Sequence, residues 1–183
     1  IPFIDKLEEN MEIYNLQAEK DYRIDRIKNK RVYFSPINGQ NKKNFHEAWQ
    51  NLIGSIEVTS RSIPLKGREI EVSVSAGKFA NFSFDELCVK PLGVADYLAI
   101  SNNYNIIFIS NVPKLDSKKR NETKRFINLI DTFYENKKIL FILAETHPKD
   151  ILIGGKDANI FQRTVSRLEE MQSSDYLDSI ISE

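Results

Sequence analysis

One cysteine among 183 residues, Cys88, excludes a disulfide within the chain and points to a reducing compartment. Net charge is missing as well. The 26 basic side chains balance the 26 acidic ones, so no bulk field draws the chain to nucleic acid or anionic lipid. No apolar run reaches the roughly 18 residues that span a bilayer, and no signal peptide is visible. Internal repeats and low-complexity linkers are absent. The two histidines, His46 and His147, stand far apart and Cys88 stands alone, so metal-ligand spacing is lacking and each imidazole reads as a surface group. A phosphate-cradling loop is missing too. It needs Gly, four residues, then Gly-Lys-Ser/Thr, so that backbone amides wrap the phosphates and the hydroxyl holds magnesium. Gly77-Lys78 has Val72 in place of the first glycine and Phe79 after it; Gly155-Lys156 has Asp150 and Asp157. No apolar strand ends in Asp-Glu. The chain opens on Ile1-Pro2-Phe3-Ile4, inside an apolar segment and without Met, and is therefore expected to be a piece of a longer one.

What is present suits one medium domain with a real core, since 41% of the residues are apolar. Asp5 to Met11 reads as a short helix and Glu12 to Leu16 as a short strand. Arg31 to Phe34 is a second strand, stopped by Ser35-Pro36. Phe45, Ala48, Trp49 and Leu52 share one face of a helix over Asn44 to Ile53. Ile56, Val58 and Ser60, then Ile70, Val72 and Val74, alternate with polar residues on either side of Pro64-Leu65-Lys66-Gly67-Arg68. That pattern is an antiparallel hairpin with one wet face. Phe79 to Phe84 is a further strand and Asp96 to Ser101 a short helix. Ile106 to Ser110 and Ile139 to Ala144 are continuous apolar runs, as in strands covered on both faces. Between them, a helix from about Lys118 to Asn136, capped by Asp116 or Ser117, carries a wide apolar stripe. Strand, helix and strand with short joints form a parallel crossover unit, whose ligands gather beyond the carboxyl ends of the strands, here Ser110-Asn111 and Glu145-Thr146.

Chemistry is sparse. Cys88 as a nucleophile needs a positioned base and reads better as buried and inert. Asp85-Glu86 suits a solvated helix start better than a pair of working acids. A hairpin of mixed charge with few exposed aromatics is a poor nucleic-acid platform, and the balanced charge leaves nucleic-acid binding as the weaker alternative. What remains is a set of arginines, Arg120, Arg125, Arg163 and Arg167, near a sheet edge and a helix. Taken alone they read as ordinary surface ion-pair formers, although a guanidinium fork also suits phosphate.

The stretch Phe161-Gln162-Arg163-Thr164-Val165-Ser166-Arg167-Leu168-Glu169-Glu170-Met171-Gln172-Ser173, extended by Asp175-Tyr176-Leu177, resembles the C-terminal signature of the ZapE-like P-loop ATPases. That branch of the AAA+ proteins is also called ATPase family gene one. The likeness runs through nearly the whole chain: Ile1-Pro2-Phe3-Ile4, Asp21-Tyr22-Arg23, the hairpin region with Arg68, Ile70 and Val72, Phe84-Asp85-Glu86-Leu87-Cys88, Pro91-Leu92-Gly93, and Asp96-Tyr97-Leu98-Ala99. It continues in Val112-Pro113, Arg120-Asn121-Glu122 and Arg125-Phe126-Ile127-Asn128-Leu129-Ile130-Asp131. Thr123 and Glu145-Thr146-His147 depart from the pattern.

The resemblance implies an α/β fold: part of a P-loop AAA+ type parallel sheet with a β-hairpin insertion and a C-terminal helical segment. Residues 1–183 would be the C-terminal part of one module. They would comprise a β-rich insertion at 35–83, a strand-helix-strand unit at 104–146 and C-terminal helices at 160–183. It implies an ATPase that uses ATP and Mg2+, with the P-loop upstream of Ile1, so that this half alone is inactive. Arg125 or Arg120 would be an arginine finger reaching a neighbouring subunit's nucleotide, and Arg163 or Arg167 a sensor of the γ-phosphate. The implied partner is a protein, either a division-ring component in bacteria or an inner-membrane protein client in mitochondria. The setting would be cytoplasmic, peripheral to the inner membrane, or mitochondrial, and a homo-oligomer fits the finger role. From another class stands a nucleotide-independent binding module that holds a protein by its hairpin and exposed sheet edge.

Overall fold

The computed structural model describes Ile27 and residues 30–182. The helix expected over Asp5 to Met11, the strand over Glu12 to Leu16 and the Asp21-Tyr22-Arg23 motif lie outside the described residues. The rest is an α/β arrangement on a six-stranded mixed sheet. Its strands are β1 (Tyr33–Phe34), β2 (Thr59–Leu65), β3 (Arg68–Ala76), β4 (Phe79–Ser83), β5 (Ile106–Val112) and β6 (Ile139–Ala144). They run in the order β1-β6-β5-β4-β3-β2. Pairings from β1 to β4 are parallel, and the β4–β3 and β3–β2 pairings are antiparallel. The helices are α1 (Gly39–Ile53), α2 (Val94–Asn103), α3 (Arg120–Glu135), α4 (Ala158–Glu170) and α5 (Ser174–Ile181). A π-helical turn spans Asp85–Val89 and a 3-10 turn spans Pro148–Asp150.

The two continuous apolar runs are the middle of the sheet. All of β6 is buried, as are Ile106 to Ile109 of β5, because both faces of these parallel strands are covered. Phe108 and Phe141 are register partners and stack at 4.4 Å. Phe45 and Trp49 of α1 meet Phe108 edge-on at 5.3 and 5.1 Å, a favoured aromatic geometry. A second helical group forms around α3, where Tyr97 of α2 lies 6.4 Å from Phe133 and Phe161 of α4 lies 6.3 Å from Phe126.

Local chemistry moves several expected boundaries. Helix α1 starts at Gly39 rather than Asn44, because the Asn38 side chain accepts the Asn41 N–H at 2.8 Å and so caps a first turn that carries no apolar periodicity. The hairpin turn is only Lys66-Gly67, both with positive φ (36° and 81°), so β2 starts later and runs through Pro64. Proline is tolerated there because β2 is an edge strand among the described residues. Helix α3 starts at Arg120 behind Lys119 and has no side-chain cap. Asp116, an expected cap, instead accepts the Lys118 N–H at 2.8 Å. Beyond the parallel strands the chain closes on itself. The Glu145 carboxylate accepts the Lys114 N–H at 2.5 Å, and Leu115 pairs with the Ile151–Ile153 segment through two backbone hydrogen bonds of 2.7 and 2.8 Å.

Candidate functional site

The four arginines fall into three settings. Arg163 and Arg167 stand one turn apart on α4 and face Asp131 and Glu135, one turn apart on α3. Arg163 Nη2 lies 2.9 Å from Asp131 Oδ2, and Arg167 Nη1 lies 2.5 Å from Asp131 Oδ1. Arg167 Nη2 reaches Glu135 at 3.5 Å, and its guanidinium sits 4.6 Å from the centre of the Tyr134 ring. The Tyr134 hydroxyl donates to Glu170 at 2.8 Å, and that bond holds its pKa above the usual tyrosine value. Tyr134 stacks on Tyr176, whose hydroxyl donates to the Lys138 carbonyl at 2.7 Å. Two helices and the C-terminal α5 are thereby tied together by one charged and aromatic cluster. The side chain of Arg167 is 17% exposed and that of Arg163 is 63% exposed. Arg163 alone of the two presents its guanidinium to solvent.

Arg125 works elsewhere. Its Nη1 donates to the carbonyls of Cys88 and Val89 at 3.1 and 3.4 Å, holding the end of the π-helical turn. Beside it the Tyr97 hydroxyl donates to the Leu87 carbonyl at 2.7 Å. Burial pushes the Cys88 thiol far above its ordinary pKa, which suits an inert cysteine. Glu86 is used structurally as well: it accepts the Ser83 N–H at 2.7 Å and the Ser73 hydroxyl at 3.1 Å, while Asp85 is exposed.

Arg120 is exposed at the start of α3 and forms no ion pair with any described residue. It borders a cleft of about 220 Å³ between that helix start and the loop that carries Gly154, Gly155 and Lys156. The sequence offered Gly155-Lys156 only as a failed P-loop, so this cleft was not foreseen. Asp131 and Glu135 were missed as partners too, although their one-turn spacing matches that of Arg163 and Arg167.

Gly77-Lys78 forms the tight β3–β4 turn, and His46 and His147 are exposed. Among the described residues no group of three or more His, Cys, Asp or Glu side chains is placed to hold a metal ion. The described residues thus hold no such carboxylate cluster for magnesium and no Gly-x-x-x-x-Gly-Lys-Ser/Thr loop.

The fold is α/β, and its helical face is bound by arginine–carboxylate contacts. The AFG1-like ATPase family profile matches residues 1–179, and the chain belongs to that family. It is similar to the cell division protein ZapE of Escherichia coli strain K12, with 29% identity over 97% of this chain and 47% of that protein. It is also similar to the lactation elevated protein 1 homolog B of Danio rerio, with 31% identity over 96% of this chain and 42% of that protein. The chain therefore spans about half the length of these relatives. No solved structure matches it. Among the described residues no helix is long and apolar enough to cross a membrane.

Proposed function

We propose that this chain is the C-terminal half of an ATPase that hydrolyses ATP with Mg2+ and uses the energy to remodel a protein partner. The observation that carries this reading is the family match along residues 1–179. The partner is a cell-division protein if the resemblance to ZapE extends to its role, with the enzyme cytoplasmic or peripheral to the inner membrane. In a mitochondrial setting the client is an inner-membrane protein. This half turns over no ATP by itself, because the phosphate-binding loop belongs to the other half.

Arg120 is the preferred arginine finger, reaching a nucleotide on a neighbouring copy in a homo-oligomer. It is exposed and unpaired among the described residues, whereas Arg125 is spent on two carbonyls. Arg163, more exposed than Arg167, is the preferred γ-phosphate sensor, and it would exchange Asp131 for the nucleotide. In the whole ATPase, Arg120→Ala lowers kcat by about a thousandfold with ATP affinity little changed. Arg163→Ala weakens ATP binding instead. Unchanged turnover in the first variant removes Arg120 from catalysis. Unchanged affinity in the second removes Arg163 from nucleotide sensing.

A nucleotide-independent binding module is the second reading, favoured by the hairpin strand β2, which is an edge of the sheet among the described residues. It predicts that partner affinity, measured on the whole protein, is the same with and without ATP. The ATPase reading predicts that it changes.

A further inference from the structure

Strand β1 ends the sheet among the described residues, and one side chain lies along its outer edge. In an extended strand the N–H and C=O of one residue point to one side and those of the next residue to the other. The Val32 carbonyl accepts the Ile142 N–H of β6 at 2.8 Å, so Val32 and Phe34 turn their peptide groups towards β6, and Tyr33 and Ser35 turn theirs outward. Both outward carbonyls are taken by Arg31. Its Nε donates to the Tyr33 carbonyl at 2.7 Å and its Nη2 to the Ser35 carbonyl at 3.4 Å. Its Nη1 donates to Asn41 Oδ1 on α1 at 3.4 Å, and the guanidinium lies 5.1 Å from the centre of the Phe34 ring. These anchors are themselves fixed. Asn41 is buried and its Nδ2 donates to the Pro36 carbonyl at 2.8 Å, and Phe34 is buried against Phe45. The guanidinium is thus held flat along the strand by α1 on one side and an aromatic face on the other.

We propose that Arg31 is an edge guard: it fills the outward acceptors of β1 and so keeps that edge from pairing with β1 of a second copy of this chain. Open carbonyls along a sheet edge are a template for another strand. The donors of a guanidinium form a rigid planar fork, and here they stand where the N–H groups of a neighbouring strand would. A second copy is the occupant that the geometry favours. Antiparallel pairing of β1 with its own image about a two-fold axis uses the outward groups of Tyr33 and Ser35 on both sides, so one contact satisfies both copies. The unguarded edge is also electrostatically compatible with itself, because Val32-Tyr33-Phe34-Ser35-Pro36 carries no charged side chain. With Arg31 in place, the same approach sets two guanidinium groups against each other and breaks the carbonyl bonds of both. The guard therefore acts by filling acceptors and by like-charge repulsion. It concerns assembly through β1 and does not rest on the ATPase reading.

The test is amide hydrogen exchange on the whole protein, read at Tyr33 and Ser35 over a wide range of protein concentration, for the wild type, Arg31→Ala and Arg31→Lys. Assembly through another surface leaves these two amides untouched. In Arg31→Ala their exchange slows as concentration rises, with an association constant at least about tenfold that of the wild type, because no charge-assisted bond has to be broken first. Arg31→Lys keeps the charge but not the fork and falls between the two. A side chain that merely props the strand gives the opposite sign: its loss speeds exchange of these amides at every concentration. Faster exchange in Arg31→Ala, or exchange that does not respond to concentration, overturns the guard. Should Arg31→Ala fail to fold, Arg31→Lys decides alone, and association no stronger than that of the wild type overturns the proposal.

Discussion

Arg167 reaches from α4 to the same carboxylate on α3, that of Asp131, which Arg163 also holds. The two contacts differ in environment. The Arg167 side chain is 17% exposed and lies over the Tyr134 ring, so water screens it little. Arg163 is mostly in solvent, where ion pairs contribute little. Arg167→Ala is therefore expected to lower unfolding stability by about 2 kcal/mol, since it strips charge from a shielded carboxylate and packing from an aromatic face. Arg163→Ala costs no more than about 0.5 kcal/mol. Urea unfolding of the two variants checks this; equal losses would mean that α3 and α4 are not held as argued.

Three tyrosines make the fold sensitive to alkali. Tyr33, Tyr97 and Tyr176 are buried, and each donates its hydroxyl to a backbone carbonyl, of Thr146, Leu87 and Lys138 respectively. Burial raises the pKa of all three well above the ordinary value near 10. The folded state thus holds protons that the unfolded state has already lost. The stabilisation is present in full below about pH 10 and is lost as pH rises towards the raised folded values. Thermal melting between neutral and strongly alkaline pH should show Tm falling only above about pH 10. Tyr97→Phe should flatten that fall. A Tm independent of pH across the range would contradict the burial of these hydroxyls.

The parts of this fold that are legible in the sequence are those set by burial over many residues. The runs Ile106 to Ser110 and Ile139 to Ala144 announce covered strands, and Phe126, Ile127, Leu129, Ile130, Phe133 and Tyr134 announce the helix between them. All are buried where that pattern places them except Ser110, Ile127 and Tyr134, which are half-buried. What escapes is set by one or two polar contacts. The Asn38 cap lengthens α1 and the Lys66-Gly67 turn shifts β2, and no periodicity carries either. The arginines were visible, but their partners were not, because Asp131 lies 32 residues before Arg163 and charge alone does not choose among many carboxylates. The cleft at Gly154 was invisible for a similar reason: it is lined mostly by loop residues that carry no periodicity.

Asp96 and Arg68 give a further prediction. Asp96 is buried on α2, and its Oδ2 accepts the Gly93 N–H at 2.7 Å at the helix start. Its Oδ1 lies 2.5 Å from Arg68 Nη1 but outside aligned hydrogen-bond geometry, so charge contact rather than a directed bond neutralises that oxygen. Arg68 begins β3, and the pair pins the hairpin to α2. Arg68→Ala leaves a buried carboxylate without its counter-charge and is expected to cost about 1–2 kcal/mol, less than a fully buried pair because the arginine is half exposed. Asp96→Asn in the same background should restore part of the loss. A double-mutant cycle that gives simple additivity would show that the two side chains do not act together.

Cys88 reports on what Arg125 does. The thiol is buried, its pKa is pushed up mainly by that burial, and the Arg125 charge pulls it partly back. Two effects of Arg125→Ala therefore oppose each other. Losing the charge makes the thiolate scarcer and slows alkylation. Losing the donor to the Cys88 and Val89 carbonyls frees the π-helical turn and opens a path to the sulfur. The wild-type thiol should alkylate slowly at neutral pH and rapidly once the protein is unfolded. If the tether dominates, as two carbonyl contacts from one guanidinium suggest, Arg125→Ala labels about tenfold faster under native conditions, because loss of a charge-assisted bond makes local opening easier. Arg125→Lys, which keeps the charge but not the fork, should fall between the two. Slower labelling of Arg125→Ala would show instead that Arg125 acts on Cys88 through its charge, and that the turn is closed by packing around Leu87 and Tyr97.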